Sequence, residues 1–443
     1  MCDSMKLCKE LIQGNTSLAV IGLGYVGISL AVAFASRVPV IGFDIDERKI
    51  TRYRTGQDPT GQVGETGLRA SNVHFTADPQ MLREAGFFVV AVPTPVKADL
   101  TPDLSMLEHA CRTIGSNMPK GAVIVFESTV YPGATEGVCI PALEESSGQK
   151  CGIDFQVGYS PERINPGDTA HPLKKIPKIL SAVSEAALLE IRSVYELIIE
   201  TDLIPVSSIR VAEMIKAAEN SQRDVNIAFM NEMALLCHAL GIDTGEVLTG
   251  MNTKWNALGF RPGLVGGHCI GVDPYYLAYQ AARLGCGSRM ITAGRQINRS
   301  MGRIIAEQIA QKLTCSEVIP EQARVVILGL TYKANCPDIR NSGAAEVVKW
   351  LRCFGINPTV VDPNADRQGA MDTYGIETVS LLEVSQADCI LLAVAHREFL
   401  RLTPAQWARM LGPGPGNRKV IMDVTGRLVP SSFRDRGYGF WRL

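Results

Sequence analysis

Cys269 stands in the segment VGGHCIGVDPYY, Val265 to Tyr276, with Gly266 and Gly267 before it, Gly271 after it and a carboxylate, Asp273, a short way downstream. Glycines leave the backbone bare, so another molecule can come close to the sulfur. A thiol in such a clearing can attack an electrophilic carbon, and the carboxylate can orient a water or take a proton once a covalent adduct exists. The same residues also fit a structural cysteine in a tight turn. Upstream, Glu213, Lys216 and Asn220 are spaced to share one face of a helix that is otherwise rich in Ala, Ile and Met. A lysine there either snorkels to solvent or points its amine into a cleft, where it would stabilise a developing oxyanion.

The elements that must position these groups are legible as alternating apolar runs and helical stretches. GLGYVG, Gly22 to Gly27, follows the run LAVI and opens the helix ISLAVAFAS. Gly22 permits the tight turn, Gly24 admits a pyrophosphate and Gly27 lets helix and strand pack closely, the helix N-terminus offers free amides to the phosphate, and Tyr25 and Val26 of the same loop are taken as cofactor-binding. Asp44 ends the next run, PVIGF, where it would accept the adenosine ribose hydroxyls and repel a 2′-phosphate, so the expected cofactor is NAD rather than NADP. FFVVAV leads into VPTP and AVIVFES into ESTVYPG, which places Thr94, Ser128 and Thr129 at the ligand-binding edge of a sheet. Threonine at a strand end also serves as a plain helix cap.

FQVGYS and PKILSAV continue the alternation, and Ile209 to Gly241 reads as one long helix, free of proline and ended by glycine. Helical patterns run on to about Cys315, interrupted by the glycine-rich loop. RVVILGL, PTVVD, DCILLAV and KVIMDV then mark a second α/β unit. The expected fold is therefore α/β: two Rossmann-like, doubly wound parallel-sheet domains, 1–208 and 316–443, joined by a long central helix and a helical middle domain, 209–315. GLTYKANCPDIRNSG, Gly329 to Gly343, occupies a strand-to-helix position but lacks the second and third fingerprint glycines, so it should not bind a second dinucleotide in the same way. Lys333 and Arg340 flank that loop, and with Arg261 and Arg427 they are candidates for holding phosphates. Without the loop context each would be read as an exposed ion-pair residue.

Bulk properties exclude several classes. With 443 residues and a formal net charge of −1, the chain has room for several cores and no electrostatic case for binding nucleic acid or an anionic membrane. Its 12 cysteines show no paired spacing and no CxxC or HxxxH, so they read as reduced cytoplasmic thiols, with neither a disulfide scaffold nor a metal site expected. The N-terminus lacks the apolar stretch of a secretory signal. Leu18 to Ser36 imitates a membrane span, but its glycines fall where a strand would hand over to a helix, and the buried reading is preferred.

Taken in order, GLGYVG, PTP, ESTVYPGAT, GYSPERINPG, AEMIKAAEN, FRPGLVGGHCIGVDP and GLTYKANCPDIRNS resemble the UDP-glucose/GDP-mannose dehydrogenase family over nearly the whole chain. The resemblance implies NAD-dependent oxidation of a nucleotide sugar at C6, from alcohol to carboxylate. It implies Cys269 as nucleophile passing through a thiohemiacetal and a thioester, Lys216 and Asn220 as the oxyanion-stabilising pair, Asp273 and Thr129 handling water, and Glu162 as a nearby acid or base. It further implies that Lys333, Arg261 and Arg427 hold UDP, that Arg163, Asn165 and Gly267 contribute to substrate binding, that Arg340 reaches toward NAD, and that the chain forms a homodimer on the long helix. Glucose-type members carry a second glutamate four residues after the one matching Glu162, where this chain has Pro166. That departure, together with ERINPG and HCIGVDPYY, is similar to the branch that oxidises UDP-N-acetylhexosamines, with UDP-glucose as the alternative.

Other classes give different expectations. A short-chain epimerase would need a YxxxK pair, and no tyrosine here is followed four residues later by lysine. A single-oxidation hydroxyacid dehydrogenase would need neither Cys269 nor the last domain, and an NAD-sensing regulator would do no chemistry. The configuration of the sugar at C2 and C4 stays open between gluco, galacto and manno.

Overall fold

Leu18 to Ile21 are apolar on both faces, and such a run is stable only as a strand covered by helices on either side. The computed structural model describes residues 5–164, 171–414 and 416–443, and packs them as two compact units, Met1–Glu219 with Tyr275–Gly287 and Asn220–Pro274 with Ser288–Leu443.

The first unit is built on eight strands: β1 (Ser17–Ile21), β2 (Val40–Phe43), β3 (Val73–Thr76), β4 (Ala85–Val90), β5 (Val123–Phe126), β6 (Gln156–Tyr159), β7 (Lys178–Ala182) and β8 (Leu203–Pro205). Their order is β3-β2-β1-β4-β5-β6-β7-β8. The chain leaves β1 in one direction and β4 in the other, so a crevice opens between the carboxyl ends of these two strands, where doubly wound sheets bind ligands. One pair departs from the expected all-parallel sheet: β7 runs antiparallel to β6. A parallel partner needs a crossover, usually a helix, and the described residues between β6 and β7 contain only the single turn Leu173–Lys175.

The second unit repeats the plan with β9 (Val325–Leu328), β10 (Thr359–Val361), β11 (Thr378–Val379), β12 (Cys389–Leu392), β13 (Val420–Asp423) and β14 (Gly439–Arg442), in the order β11-β10-β9-β12-β13-β14, all parallel.

Six helices matter for the site: α1 (Tyr25–Ala35), α2 (Glu185–Tyr195), α3 (Ile209–Leu240), α4 (Asp273–Arg283), α5 (Arg289–Cys315) and α6 (Gly343–Cys353). The predicted long helix is α3, which contributes Ile209–Glu219 to the first unit and the rest to the second. Within the second unit, Met301, Ile305, Ile309 and Leu313 of α5 share a buried cluster with Ala345, Val348 and Leu351 of α6. Gly302 allows that approach, because a Cβ there would lie 2.9 Å from the Glu346 side chain. Among the described residues no helix is long and apolar enough to cross a membrane.

Candidate active site

In the first unit the glycine fingerprint does what its spacing predicts. Gly22 turns the chain with φ +87°, a conformation that side chains resist. A Cβ on Gly27 would fall 1.8 Å from the Gly22 carbonyl oxygen, so strand end and helix start touch through bare backbone. A Cβ on Gly24 would meet nothing within 4 Å, and Gly24 precedes α1 without a side-chain cap. Open space before an uncapped helix start, at Tyr25 and Val26, fits a dinucleotide pyrophosphate. Asp44 is buried at the end of β2, accepting from the Leu23 amide at 2.9 Å and from Lys49 Nζ at 2.8 Å, so its carboxylate is fixed beside the same loop.

The next two loops are tied to each other. Thr94 Oγ1 donates to the Thr129 carbonyl (2.7 Å) and Ser128 Oγ to the Val92 carbonyl (2.8 Å), while Tyr276 Oη donates to the Thr94 carbonyl (2.5 Å). Glu213, buried on α3, accepts from the amides of Gly133 (2.5 Å) and Thr135 (2.9 Å), anchoring the stretch that follows Thr129. Lys216 lies one turn on and is also buried, with its ammonium donating to the backbone oxygen of Glu162 at 2.6 Å. The snorkelling alternative is thereby removed. Arg163 pairs with Glu219 at 3.0 Å. Asn165 and Pro166 lie outside the described residues.

The second unit holds the thiol. Cys269 is partly exposed, and its carbonyl accepts from the amides of Val272 (3.0 Å) and Asp273 (2.8 Å), which starts α4 at once. Asp273 is buried, and its Oδ2 accepts from Asn220 Nδ2 at 2.5 Å, so these two predicted site residues meet. Gly267, at φ +82°, has its amide on the Arg340 carbonyl (3.1 Å) and its carbonyl on Asn341 Nδ2 (3.0 Å). The cysteine loop is thus pinned to the loop between β9 and α6. Arg340 is held in a fork by Asp338, with its closest contact at 2.6 Å.

His268, which sequence reasoning passed over, precedes Cys269 directly. Its Nδ1 lies 3.5 Å from Asp338 Oδ2 and 3.2 Å from Arg340 Nη2. Burial opposes charge on the ring, yet Asp338 and the sulfur outweigh it and bring the imidazole up to about 9. Asp338 is buried too, but the His268 and Arg340 contacts hold its carboxyl well below the usual range. No local pattern around HC announces this, because Asp338 is distant in sequence.

At the carboxyl ends of β9 and β12 the second unit opens a cavity of 200 Å³ lined by residues including Leu264, Tyr332, Lys333, Val394 and Thr425. Arg261 and Gly426 line a neighbouring recess, and Arg427 is exposed beside it.

Three family profiles match in succession: the NAD binding domain of the UDP-glucose/GDP-mannose dehydrogenase family over residues 16–199, its central domain over 210–300 and its UDP binding domain over 326–430. The chain belongs to the UDP-glucose/GDP-mannose dehydrogenase family. This nucleotide-sugar dehydrogenase is 44% identical, across 90% of its length and 94% of the relative's, to a UDP-N-acetyl-D-glucosamine 6-dehydrogenase of Pseudomonas aeruginosa. It is 43% identical, across 88% and 92%, to an enzyme of the same name from Salmonella typhi. Among solved structures it is similar to UDP-D-ManNAc dehydrogenase from Pyrococcus horikoshii, with TM-score 0.85, 30% identity and coverage of 96% of this chain and 98% of that one. The dehydrogenase is an NAD-dependent oxidoreductase of the α/β class, as the fingerprint and the strand order required.

Proposed function

We propose that this dehydrogenase oxidises the C6 alcohol of a UDP-N-acetylhexosamine, UDP-N-acetylglucosamine before its epimers, to the uronate. The observation that carries the reading is Cys269: a partly exposed thiol beside His268, in a loop whose Gly267 is hydrogen-bonded to Arg340 and Asn341 of the loop after β9. The relatives' substrate supports the choice of sugar. The balance is one alcohol, two NAD and one water giving one carboxylate, two NADH and three protons.

NAD, held by Gly22, Gly24, Tyr25, Val26, Gly27 and Asp44, supplies the hydride acceptor for each oxidation. Thr94 and Ser128 fix the two loops beside that site, and Arg340 completes the cofactor side. Lys333, Arg261 and Arg427 hold UDP; Arg163, Asn165 and Gly267 contribute to the sugar. Lys216 and Asn220 stabilise the alkoxide as the alcohol loses its proton. Cys269 then adds to the aldehyde, so that the carbon is bound to sulfur as a thiohemiacetal and does not escape, and after the second oxidation it holds a thioester. Thr129 and Asp273 position the water that cleaves the thioester, and Glu162 takes its proton. A second copy of this chain covers the apolar side chains of Met214, Phe229, Leu236 and Leu240 that α3 exposes, giving a homodimer.

NADH formed per UDP-N-acetylglucosamine consumed should be two, with UDP-N-acetylgalactosamine, UDP-N-acetylmannosamine and UDP-glucose turning over more slowly. One NADH per sugar would favour a simple dehydrogenase and overturn the thioester. Cys269→Ser should keep NAD and sugar affinity and lose at least about a thousandfold in kcat; undiminished uronate from that variant would remove the covalent role.

A further inference from the structure

Behind Glu162, in the interior of the first unit, lie three ionisable groups that the mechanism above does not use. Glu127 follows β5, Lys178 opens β7 and Tyr195 closes α2, and all are buried. Lys178 Nζ is 2.7 Å from Glu162 Oε2 and 3.1 Å from Glu127 Oε1, and it lies 5.0 Å from the centre of the Tyr195 ring. Tyr195 Oη donates to the same Glu127 oxygen. The second oxygen, Glu127 Oε2, is buried with no hydrogen-bond partner among the described residues. Glu162 itself is held on both sides: Oε2 by Lys178, and Oε1 by the amides of Arg163 (2.5 Å) and Ile164 (3.0 Å). Its backbone oxygen is the acceptor for Lys216.

A lysine between two buried carboxyls leaves one negative charge in excess, which is costly away from water unless one carboxyl keeps its proton. Glu127 is the one that keeps it. Its bare oxygen lacks the donors a carboxylate requires, whereas every Glu162 oxygen is supplied with them. We propose that Lys178 and Glu127 are positioning residues: the Lys178 ammonium, backed by a protonated Glu127, fixes the Glu162 carboxylate, and the loop so fixed presents the Glu162 backbone oxygen to the Lys216 ammonium. The inference rests on the roles proposed for Glu162 and Lys216. Burial, opposed by Lys178 and reinforced by Glu162, pushes the Glu127 carboxyl up to about 7. The groups facing it are Lys178 from β7, Glu162 from the loop after β6 and Tyr195 from α2. When Glu127 ionises, it competes with Glu162 for the one cation.

The test compares wild type, Glu127→Gln, Lys178→Met and Lys178→Arg from about pH 5 to pH 9. Infrared spectra of the wild type should show a buried protonated carboxyl that disappears as pH rises through about 7 and is absent from Glu127→Gln. This readout needs no turnover, so it stands if the assigned sugar is wrong. The ratio of kcat in Glu127→Gln to kcat in wild type should rise by about threefold across the same range. Lys178→Met should lower kcat at least about thirtyfold with the KM for NAD little changed, and Lys178→Arg should recover part of it. If Lys178→Met does not fold, the spectra and the Glu127→Gln ratio decide alone. An absent carboxyl signal, or Lys178→Met with wild-type kcat and pH profile, overturns the inference; two NADH per sugar in the wild type beside that result leaves the functional reading standing.

Discussion

The six strands of the second sheet follow the order of the first six of the first, and the two sheets differ in how the first strand of each hands over to its helix. In the first unit β1 reaches α1 across Gly22–Gly24; in the second, β9 takes residues 329–342 to reach α6. Each turn begins on a glycine of positive φ, +87° at Gly22 and +104° at Gly329, and each second strand is followed by a buried aspartate, Asp44 or Asp362. Asp44 serves a short, bare loop. Asp362 is consumed inside its own unit: Oδ2 accepts from the amides of Leu330 (2.6 Å) and Thr331 (2.9 Å) and lies 3.0 Å from His396 Nε2. Burial alone would raise the Asp362 carboxyl, but these contacts, His396 foremost, bring it down to about 2. The short turn offers bare backbone beside a fixed carboxylate; the long one presents side chains, Tyr332 and Lys333, on the wall of its cavity. Loop length at one position therefore separates a bare backbone face from one lined by side chains on the same scaffold.

The comparison can be broken most forcefully at Gly27. Gly27→Ala should cost about 3 kcal/mol or more, since the methyl meets a carbonyl that cannot withdraw, and urea unfolding would show it. Next comes a paired test. Gly24→Val, where open space and φ −80° accept a side chain, should fold normally yet raise the KM for NAD by about a hundredfold with UDP affinity unchanged. Lys333→Ala should do the reverse, raising the UDP-sugar KM by about tenfold and leaving NAD unaffected. Equal effects of either variant on both ligands would erase the distinction between the two loops.

The smallest effect concerns the pin between the cysteine loop and the long loop. Because His268 is raised in the folded state to about 9, its contribution to stability is complete below its ordinary 6.5 and lost as pH climbs through 9. Screening of a ring that is 31% exposed limits it to about 1 kcal/mol. His268→Gln should flatten that alkaline decline in thermal melts.

The fingerprint glycines and Asp44 were legible because their placement is local: a few residues of spacing specify the turn, the helix start and the acidic residue after the next strand. Most strands were legible as apolar runs for the same reason, but β3, β8, β11 and β14 were not, being short or broken by polar residues. The antiparallel entry of β7 was not, because pairing direction is decided by the connection rather than by the residues of the strand. Lys178 was invisible inside IPKIL, where it reads as a charge breaking an apolar run, and it acquires meaning only from Glu127 and Glu162, which approach it through the folded sheet. His268 and Asp338 share that obscurity. Lys216 illustrates the middle ground, since periodicity put it on a face of α3 and only its bond to the Glu162 carbonyl chose between solvent and interior.

The clasp formed by Gly267 with Arg340 and Asn341 joins the sulfur to the stretch that also carries Tyr332 and Lys333. Tyr332, Lys333 and the Cys269 loop therefore rest on one stretch of backbone, and a displacement of that stretch moves all of them together.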